Sequence, residues 1–445
     1  MVDLSQPASG ASLLHPMVAR YASIAGGVDA LPRETHDAHR AESLRAVVRR
    51  AYSACPLYRG KMDRAGVRPE QIRGPEDLPR LPFLTKDELR GDPWALLTCK
   101  RSEVALIQVS TGTTGGEEIY MPSTRNDHIR NDLAPRYSTL FPVGPGDVCL
   151  DALPYEMSTA GLAFHKTFMD GYRATVIPAG KGGAYSTAEK TVRLIRDLRP
   201  TVAVTSPSWA VVVAEAAERA EVSLPSLQMK KLWLTGEGCS PSFRTRVERL
   251  WGTRANFFYG SLECGVLGIE CDAHDGYHLA EAHAFLEVID PRSGEPLPAG
   301  ETGELVVTAL LRYDSPVLRF RTGDLGALVT GACSCGVPFE RLVVRGRASD
   351  QIGISGRYFS PIYLEELLMR MPEVGNWFEL VVPASGAPAE RGKVRVELSP
   401  GVSYSAGLEA SLSERMSLAT GVPFDVEITV GLPRPTTKAA RVVRE

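Results

Sequence analysis

No apolar run in the sequence approaches the 18 or more residues of a membrane-spanning helix. The best candidate, TVAVTSPSWAVVVAEAA at residues 201–217, is broken by Ser, Pro and Trp. A charge excess of one sign is also lacking. Interleaved, 50 basic and 53 acidic residues leave a net charge of −3, which gives no field to gather nucleic acid or an anionic membrane. The eight cysteines are scattered over 445 residues without a dense disulfide framework, which suits a reducing compartment. The opening stretch MVDLSQPASGASLLHPMVARY has no basic segment followed by an apolar one, so a cytoplasmic location is expected. Internal repeats and low-complexity tracts are absent too. One further lack is local. Residues 110–116, STGTTGG, have the small-residue richness of a phosphate-wrapping loop, yet the lysine of the G-x-x-x-x-G-K-[ST] pattern is missing.

What is present is an ordinary globular composition, 44% hydrophobic and 23% charged, in a chain long enough for two to four domains. Small-molecule chemistry is the class that survives these exclusions. Residues 34–55 carry apolar residues at helical spacing between charges, and LPRLPFLTKDELRGDPW then reads as a turn-rich connector with Thr85 as an N-cap. From about residue 104, short β-branched runs (VALIQV, DVCLDAL, RATVIPA, TVAVTS, KKLWLTG, RANFFYG) alternate with helical patterns such as TAEKTVRLIRDLR and SFRTRVERLW. Near-continuous apolar strands separated by helices predict an α/β fold with a mainly parallel sheet covered on both faces. After residue 284 the signals turn antiparallel, with the turn PRSGE between alternating strands, which predicts a β-rich subdomain. The expected division is a helical cap over about 1–100, an α/β core over about 101–283, the β-rich part over about 284–345, and a small α+β domain over 346–445.

The loop STGTTGG follows a strand, so its backbone N–H groups can form a nest for phosphate oxygens; a polar turn closing the strand is the plainer alternative. Further along stand FFYGSLECG, RFRTGDLG, RGRASDQIGISGR and LPRPTTKAARVVRE, in that order. Together the five stretches resemble the ANL superfamily of adenylate-forming enzymes over nearly the whole chain. The front section, with CPLYRGKMDRAGV and LPFLTKDELR, is similar to the phenylacetate-CoA ligase branch. The resemblance implies an acid–thiol ligase that uses ATP and Mg²⁺ to turn a carboxylic acid into an acyl-adenylate, then passes the acyl group to coenzyme A. A carrier-protein thiol, an amine or another nucleophile of secondary metabolism is the alternative acceptor, and a nucleotide- or metal-binding protein without catalysis is the more distant one. A homodimer is also expected to be possible.

The resemblance further implies a role for each matching residue. Ser110, Thr111, Gly112, Thr113, Thr114 and Gly115 would wrap the β- and γ-phosphates of ATP. Gly236, Glu237 and Gly238 would line the adenine site. In FFYGSLECG, Tyr259 would stack on adenine beside Gly260, and Glu263 would send its carboxylate to Mg²⁺, which takes hard oxygen ligands. Asp324 would accept from the ribose hydroxyls, and Arg347 would contact the nucleotide. Lys438 would supply, from a mobile C-terminal domain, the cation between two anionic reactants that the loop lacks. The hinge falls at Ser349, where the family usually has an acid. Arg357 aligns with another arginine of the mobile domain. Other departures are Leu262 in place of a hydroxyl residue, Thr437 in place of a glycine before the lysine, and GGEE after the loop.

For the acid itself, Tyr155, Gly161, Trp209 and Phe258 are candidate walls of a flat apolar pocket suited to an aromatic or arylacetic acid, with Met157, Phe164 and Ser206 nearby and His165 either touching substrate or capping a helix. A single aromatic at such a position is otherwise plain core. A metal constellation stands apart. CDAHDGYH offers Cys271, His274 and His278, and CSC offers Cys333 and Cys335. The resemblance favours Cys271, His278, Cys333 and Cys335 around a structural Zn²⁺; ordinary cytosolic thiols are the alternative.

Overall fold

The computed structural model describes residues 31–90, 92–110, 118–127, 140–157, 159–436, 439 and 441–445. Its front section is helical, as the spacing predicts. Helices α1 (Arg33–Ala54) and α2 (Pro56–Arg64) bury Leu44, Val47, Val48, Tyr58 and Met62 in an apolar cluster shared with Val307, Leu318 and Phe320. Arg33 and Arg40 of α1 both donate to the buried carboxylate of Glu281 (2.9 and 3.0 Å). Thr85 caps the short turn that follows, with Glu88 closing a capping box.

The run VALIQV, expected among the parallel strands, is β1 (Val104–Val109) and pairs only with β2 (Tyr120–Thr124) as a separate antiparallel hairpin. The other apolar runs are β3 (Val148–Ala152), β4 (Thr175–Pro178), β5 (Val202–Thr205), β6 (Lys231–Leu234) and β7 (Ala255–Ser261). They are parallel, in the order β4-β3-β5-β6-β7. Between them run α3 (Thr159–Lys166), α4 (Ala188–Leu198), α5 (Pro207–Arg219) and α6 (Pro241–Trp251). Alternate strand residues enter two different cores. Leu150, Ala203, Leu232, Leu234 and Phe257 pack with Trp209 and Trp251, whereas Cys149, Val202, Val204, Trp233 and Phe258 pack with Phe141, Phe164 and Phe168. A sheet buried on both faces accounts for the continuous apolar runs.

Antiparallel pairing begins at β8 (Gly265–Glu270) and β9 (Tyr277–Leu279), ahead of the expected change at residue 284. β10 (Ala284–Ile289), β11 (Gly303–Ala309), β12 (Phe320–Val329) and β13 (Arg341–Arg347) complete this half. Both halves are one hydrogen-bonded sheet of eleven strands, ordered β10-β11-β12-β13-β9-β8-β7-β6-β5-β3-β4. The β-rich part is thus an extension of the parallel sheet. After it come the hairpin β14 (Ile352–Ile354) and β15 (Arg357–Phe359), then α7 (Pro361–Met369), β16 (Val374–Val382), β17 (Gly392–Leu398), α8 (Ala406–Thr420), β18 (Phe424–Ile428) and β19 (Val442–Arg444). The last four strands form a sheet in the order β18-β17-β16-β19, with the β14–β15 hairpin a separate pair. Among the described residues no helix is long and apolar enough to cross a membrane.

Three helices start at Ser-Pro pairs, where the serine hydroxyl accepts the N3 amide and proline supplies helical φ at N1: Ser206-Pro207, Ser240-Pro241 and Ser360-Pro361. Two of them, α6 and α7, dock the C-terminal unit. Ser240 N–H donates to Glu365 (2.7 Å) and Ser242 N–H to Glu366 (2.8 Å), so α7 lays two carboxylates on the positive end of α6. One turn further on, the Arg246 guanidinium donates to the carbonyls of Met369, Met371 and Val374 at 2.7–2.9 Å. We expect Arg246→Ala to lose about 2–4 kcal/mol of the C-terminal unit's docking, since several carbonyls then lack a charged donor. Thermal unfolding checks this: the variant should show an earlier or separate transition for that unit, and Arg246→Lys should restore little of it because one ammonium cannot reach all three carbonyls.

Candidate active site

In an open parallel sheet the carboxyl ends of the strands gather the residues that meet ligands. Here Tyr155 follows β3, Ser206 and Trp209 follow β5, Gly236 to Gly238 follow β6, and Tyr259 to Glu263 close β7. The Tyr259 hydroxyl donates to Asp324 Oδ2 (2.8 Å), and the Arg347 guanidinium donates to Asp324 Oδ1 (3.2 Å). Asp324 and Arg347 are register partners in the β12–β13 ladder, which is why these two residues, 23 positions apart, meet. The fold therefore unites three of the residues expected around a nucleotide. Burial raises the Tyr259 phenol well above its usual value, with Asp324 adding to the shift.

Glu263 is only 7% exposed, and its carboxylate receives no hydrogen bond among the described residues. A buried carboxylate left open in this way suits a hard cation. Ser110 N–H donates to the Ile119 carbonyl and its hydroxyl accepts from Ile119 N–H, both at 2.9 Å, so the base of the loop is fixed; Thr111, Gly112, Thr113, Thr114 and Gly115 lie outside the described residues. Lys438 and Thr437 also lie outside them. Gly236 adopts φ +84°, and Gly238 faces Ile362 of α7. Glu237 is not open to a base, for its carboxylate is bonded to Lys181 and Ser208. Ser349 donates to Asp350 (2.8 Å) in a turn beyond β13, and Arg357 donates to the Thr420 carbonyl (3.3 Å).

Two of the four expected pocket walls, Trp209 and Phe258, pack in different cores. Trp209, 2% exposed, packs in the core on one face of the sheet, and Phe258 packs on the other face with Phe164 (ring centroids 4.8 Å, edge to face). Tyr155 donates to Asp151 (2.9 Å) and meets His165 Nδ1 (3.2 Å), so His165 belongs to a polar chain and does not cap a helix through this contact. Burial pushes the Asp151 carboxyl well above its usual range. Gly161 is there for close approach: a β-carbon would stand 2.5 Å from the Pro154 carbonyl oxygen. Lys181 is a residue that sequence reasoning missed; its signal was a lysine inside the glycine-rich stretch AGKGGAYS just after an apolar strand.

A protein-family model described as AMP-binding enzyme matches residues 35–309. The chain belongs to the AMP-binding enzymes. It is 35% identical to the phenylacetate-coenzyme A ligase of Thermus thermophilus over 84% of this chain and 83% of that one, and 31% identical to that of Escherichia coli over 90% and 93%. Among solved structures, 2-hydroxyisobutyryl-CoA ligase in its postadenylation state matches with a TM-score of 0.86 at 24% identity, covering 94% of this chain and 91% of that one. The same ligase in its thioesterification state gives 0.67 at the same identity and coverage. ANL adenylate-forming ligases thus share this fold.

Away from the strand ends, the structure brings the four expected metal ligands together. Cys271 follows β8, His278 lies on β9, and Cys333 and Cys335 lie in the β12–β13 turn; one ligand atom from each lies within 4.8 Å of all the others. Cys271 Sγ and Cys333 Sγ are 3.6 Å apart, and Cys335 Sγ is 3.2 Å from His278 Nε2. Two thiolates on a tetrahedral zinc stand about 3.7 Å apart, so the donor set fits that ion. His274 points elsewhere, to Glu270 (3.3 Å) and Glu248 (3.6 Å). Burial pushes the Cys271 thiol up to about 12, and burial together with Arg341 lowers His278.

For Gly161→Ala we expect a loss of about 1–3 kcal/mol from the collision with the Pro154 carbonyl. Urea unfolding measures it, and an undiminished midpoint would mean that the Pro154 turn gives way freely.

Proposed function

We propose that the protein activates a carboxylic acid with ATP as an acyl-adenylate and transfers the acyl group to the thiol of coenzyme A. The observation that carries this reading is Asp324, held between Tyr259 and Arg347 beside the carboxyl ends of β6 and β7. Both its oxygens are oriented by donors that a ribose can share or replace, and the Tyr259 ring gives adenine an aromatic surface. Family membership and the phenylacetate-coenzyme A ligase relatives support the same chemistry. The substrate we propose is an aromatic or arylacetic acid, in line with what those relatives are named for.

Glu263 would hold Mg²⁺, which when bound offsets the charge of the phosphates. Ser110 and the residues after it would cradle the phosphates, and Gly236 to Gly238 would flank the adenine. Lys438 would bridge the attacking carboxylate and the α-phosphate, offsetting repulsion in the transition state. The C-terminal unit would turn about Ser349 between the two half-reactions, withdrawing that lysine. The higher TM-score against the postadenylation state than against the thioesterification state favours reading the present arrangement as the one for the first step. Cys271, His278, Cys333 and Cys335 would hold a structural Zn²⁺ that staples β8 and β9 to the β12–β13 turn and takes no part in the reaction.

With a panel of aromatic acids, pyrophosphate release should require ATP and should fall by about 10²–10³ in Lys438→Ala, with ATP binding changed far less. If no acid supports release while ATP still binds, the ligase reading is lost. Mass detection of the thioester after adding coenzyme A tests the acceptor. Metal analysis tests the staple: about one zinc per chain is expected, lost when Cys333→Ser and Cys335→Ser are combined, together with a lower melting temperature. Metal-free wild-type protein would end that assignment.

A further inference from the structure

Arg312 is a cation that the chemistry described so far leaves unused, and it is fully buried. Its Nη2 donates to the Leu262 carbonyl (2.8 Å), its Nη1 stands 3.5 Å from Ser123 Oγ, and its Nε has no hydrogen-bond partner among the described residues. A guanidinium kept from water with so few acceptors is costly, so stability alone is a weak reason for it. The carbonyl it holds belongs to the peptide that joins Leu262 to Glu263. That peptide is planar, so fixing its oxygen orients the bond by which Glu263 leaves it. Ser261 and Gly265 are register partners, which makes Leu262, Glu263 and Cys264 the whole connection between β7 and β8. A second bond, from Cys264 N–H to Ser261 Oγ (3.2 Å), lies within the turn itself.

The segment that carries Arg312 is anchored on the other side of the site. Tyr313, Asp314 and Ser315 each donate a backbone N–H to the buried carboxylate of Asp127 (2.9, 3.0 and 3.2 Å). Thr124 Oγ1 donates to Asp314 Oδ2 (2.8 Å), and Ser315 Oγ donates to the Pro122 carbonyl (2.9 Å). Pro122, Ser123 and Thr124 end β2, so residues 312–315 are fixed to the β1–β2 hairpin, whose other end is closed by Ser110 and Ile119. Arg312 carries that anchorage across to the Glu263 turn. We propose that Arg312 is a positioning residue that holds the Glu263 turn in register with the β1–β2 hairpin, so that a divalent cation at Glu263 and the phosphates of a nucleotide at Ser110 are bound together. This rests on the acid-activating reading above. Arg312 acts through the Leu262 peptide and touches neither the nucleotide nor the cation.

The test compares Arg312→Lys and Thr124→Val with wild type by titration calorimetry, using ATP with Mg²⁺, ATP with EDTA, and AMP. A lysine keeps the charge but has no fork to span Leu262 and Ser123, and valine keeps the shape of Thr124 while removing its bond to Asp314. In wild type Mg²⁺ should tighten ATP binding. That gain should shrink at least roughly 10-fold in Arg312→Lys, the usual cost of disturbing a group that orients a metal ligand, and by a smaller factor in Thr124→Val. AMP affinity should stay within about 2-fold, since Tyr259, Asp324 and Arg347 are untouched. On a Glu263→Gln background, Arg312→Lys should weaken ATP binding no further. Equal losses for ATP and AMP mark a merely structural role and overturn the proposal, as does a gain from Mg²⁺ that both variants keep, or a full loss that persists on Glu263→Gln. If Arg312→Lys does not fold, Thr124→Val, which removes no buried charge, decides alone. Wild-type ATP binding that ignores Mg²⁺ ends the proposal together with the magnesium role of Glu263. If wild type activates no acid at all, the ligase reading fails separately, and the ATP and AMP affinities still decide the role of Arg312.

Discussion

The amino end of α6 carries unsatisfied N–H groups, and two of them, on Ser240 and Ser242, are taken by Glu365 and Glu366 of α7. Arg246 then reaches across to the carbonyls at the far end of α7. Each helix thus answers unpaired backbone groups of the other. Everything that the C-terminal unit brings to the strand ends depends on this docking. Arg441 shows how the dependence is passed on: its guanidinium lies over Phe243 of α6 (5.1 Å) and Phe378 of β16 (4.4 Å), and it stands 3.7 Å from Glu365. Burial raises the Glu365 carboxyl and Arg441 opposes that rise, so the tail's own cation helps to keep the docking charge in place.

Apolar side chains reinforce this polar docking, since one buried cluster runs from Trp251 and Val247 of α6 into Leu364 and Leu368 of α7 and on to Trp377 and Phe378. The interface therefore combines oriented hydrogen bonds with continuous apolar packing. At the junction, Gly182 and Gly238 let Thr436 and Ile362 come closer than any side chain would permit.

Much of this was legible in the chain. Strands β3 to β7 announced themselves as apolar runs because both faces of the sheet are buried, and α4 and α6 because only one side of each is. The grouping of Tyr259, Asp324 and Arg347, and of Cys271, His278, Cys333 and Cys335, was expected from the resemblance of the motifs, and one sheet carries both sets. The rest failed for identifiable reasons. VALIQV has the texture of a buried strand, and nothing in its residues says that its partner is β2. The antiparallel turn at β8 was hidden because the last four residues of GVLGIE are as fully buried as the parallel strands. Trp209 and Phe258 were expected as walls of one pocket, but Trp209, on helix α5, and Phe258, on strand β7, belong to different cores. Lys181 and Glu237 are 56 residues apart, and neither charge reveals its partner locally.

Leu262 illustrates how a departure from family pattern can be harmless to geometry. The turn that carries Glu263 is held through its backbone, for Arg312 donates from Nη2 to the Leu262 carbonyl (2.8 Å). The Leu262 side chain instead joins the apolar cluster of the front helices. Arg312 itself is fully buried and makes no ion pair among the described residues; its Nη1 reaches only Ser123 Oγ, at 3.5 Å. Burial lowers its pKa, and the attraction of Asp127 and of Glu263 resists that change. A buried guanidinium without a carboxylate and, one residue from its hydrogen bond, a buried carboxylate without a donor are each costly alone. Their attraction acts across the turn without a hydrogen bond between them, and the Glu263 oxygens accept none among the described residues. With leucine at position 262, the turn that carries Glu263 is still held through its backbone by Arg312.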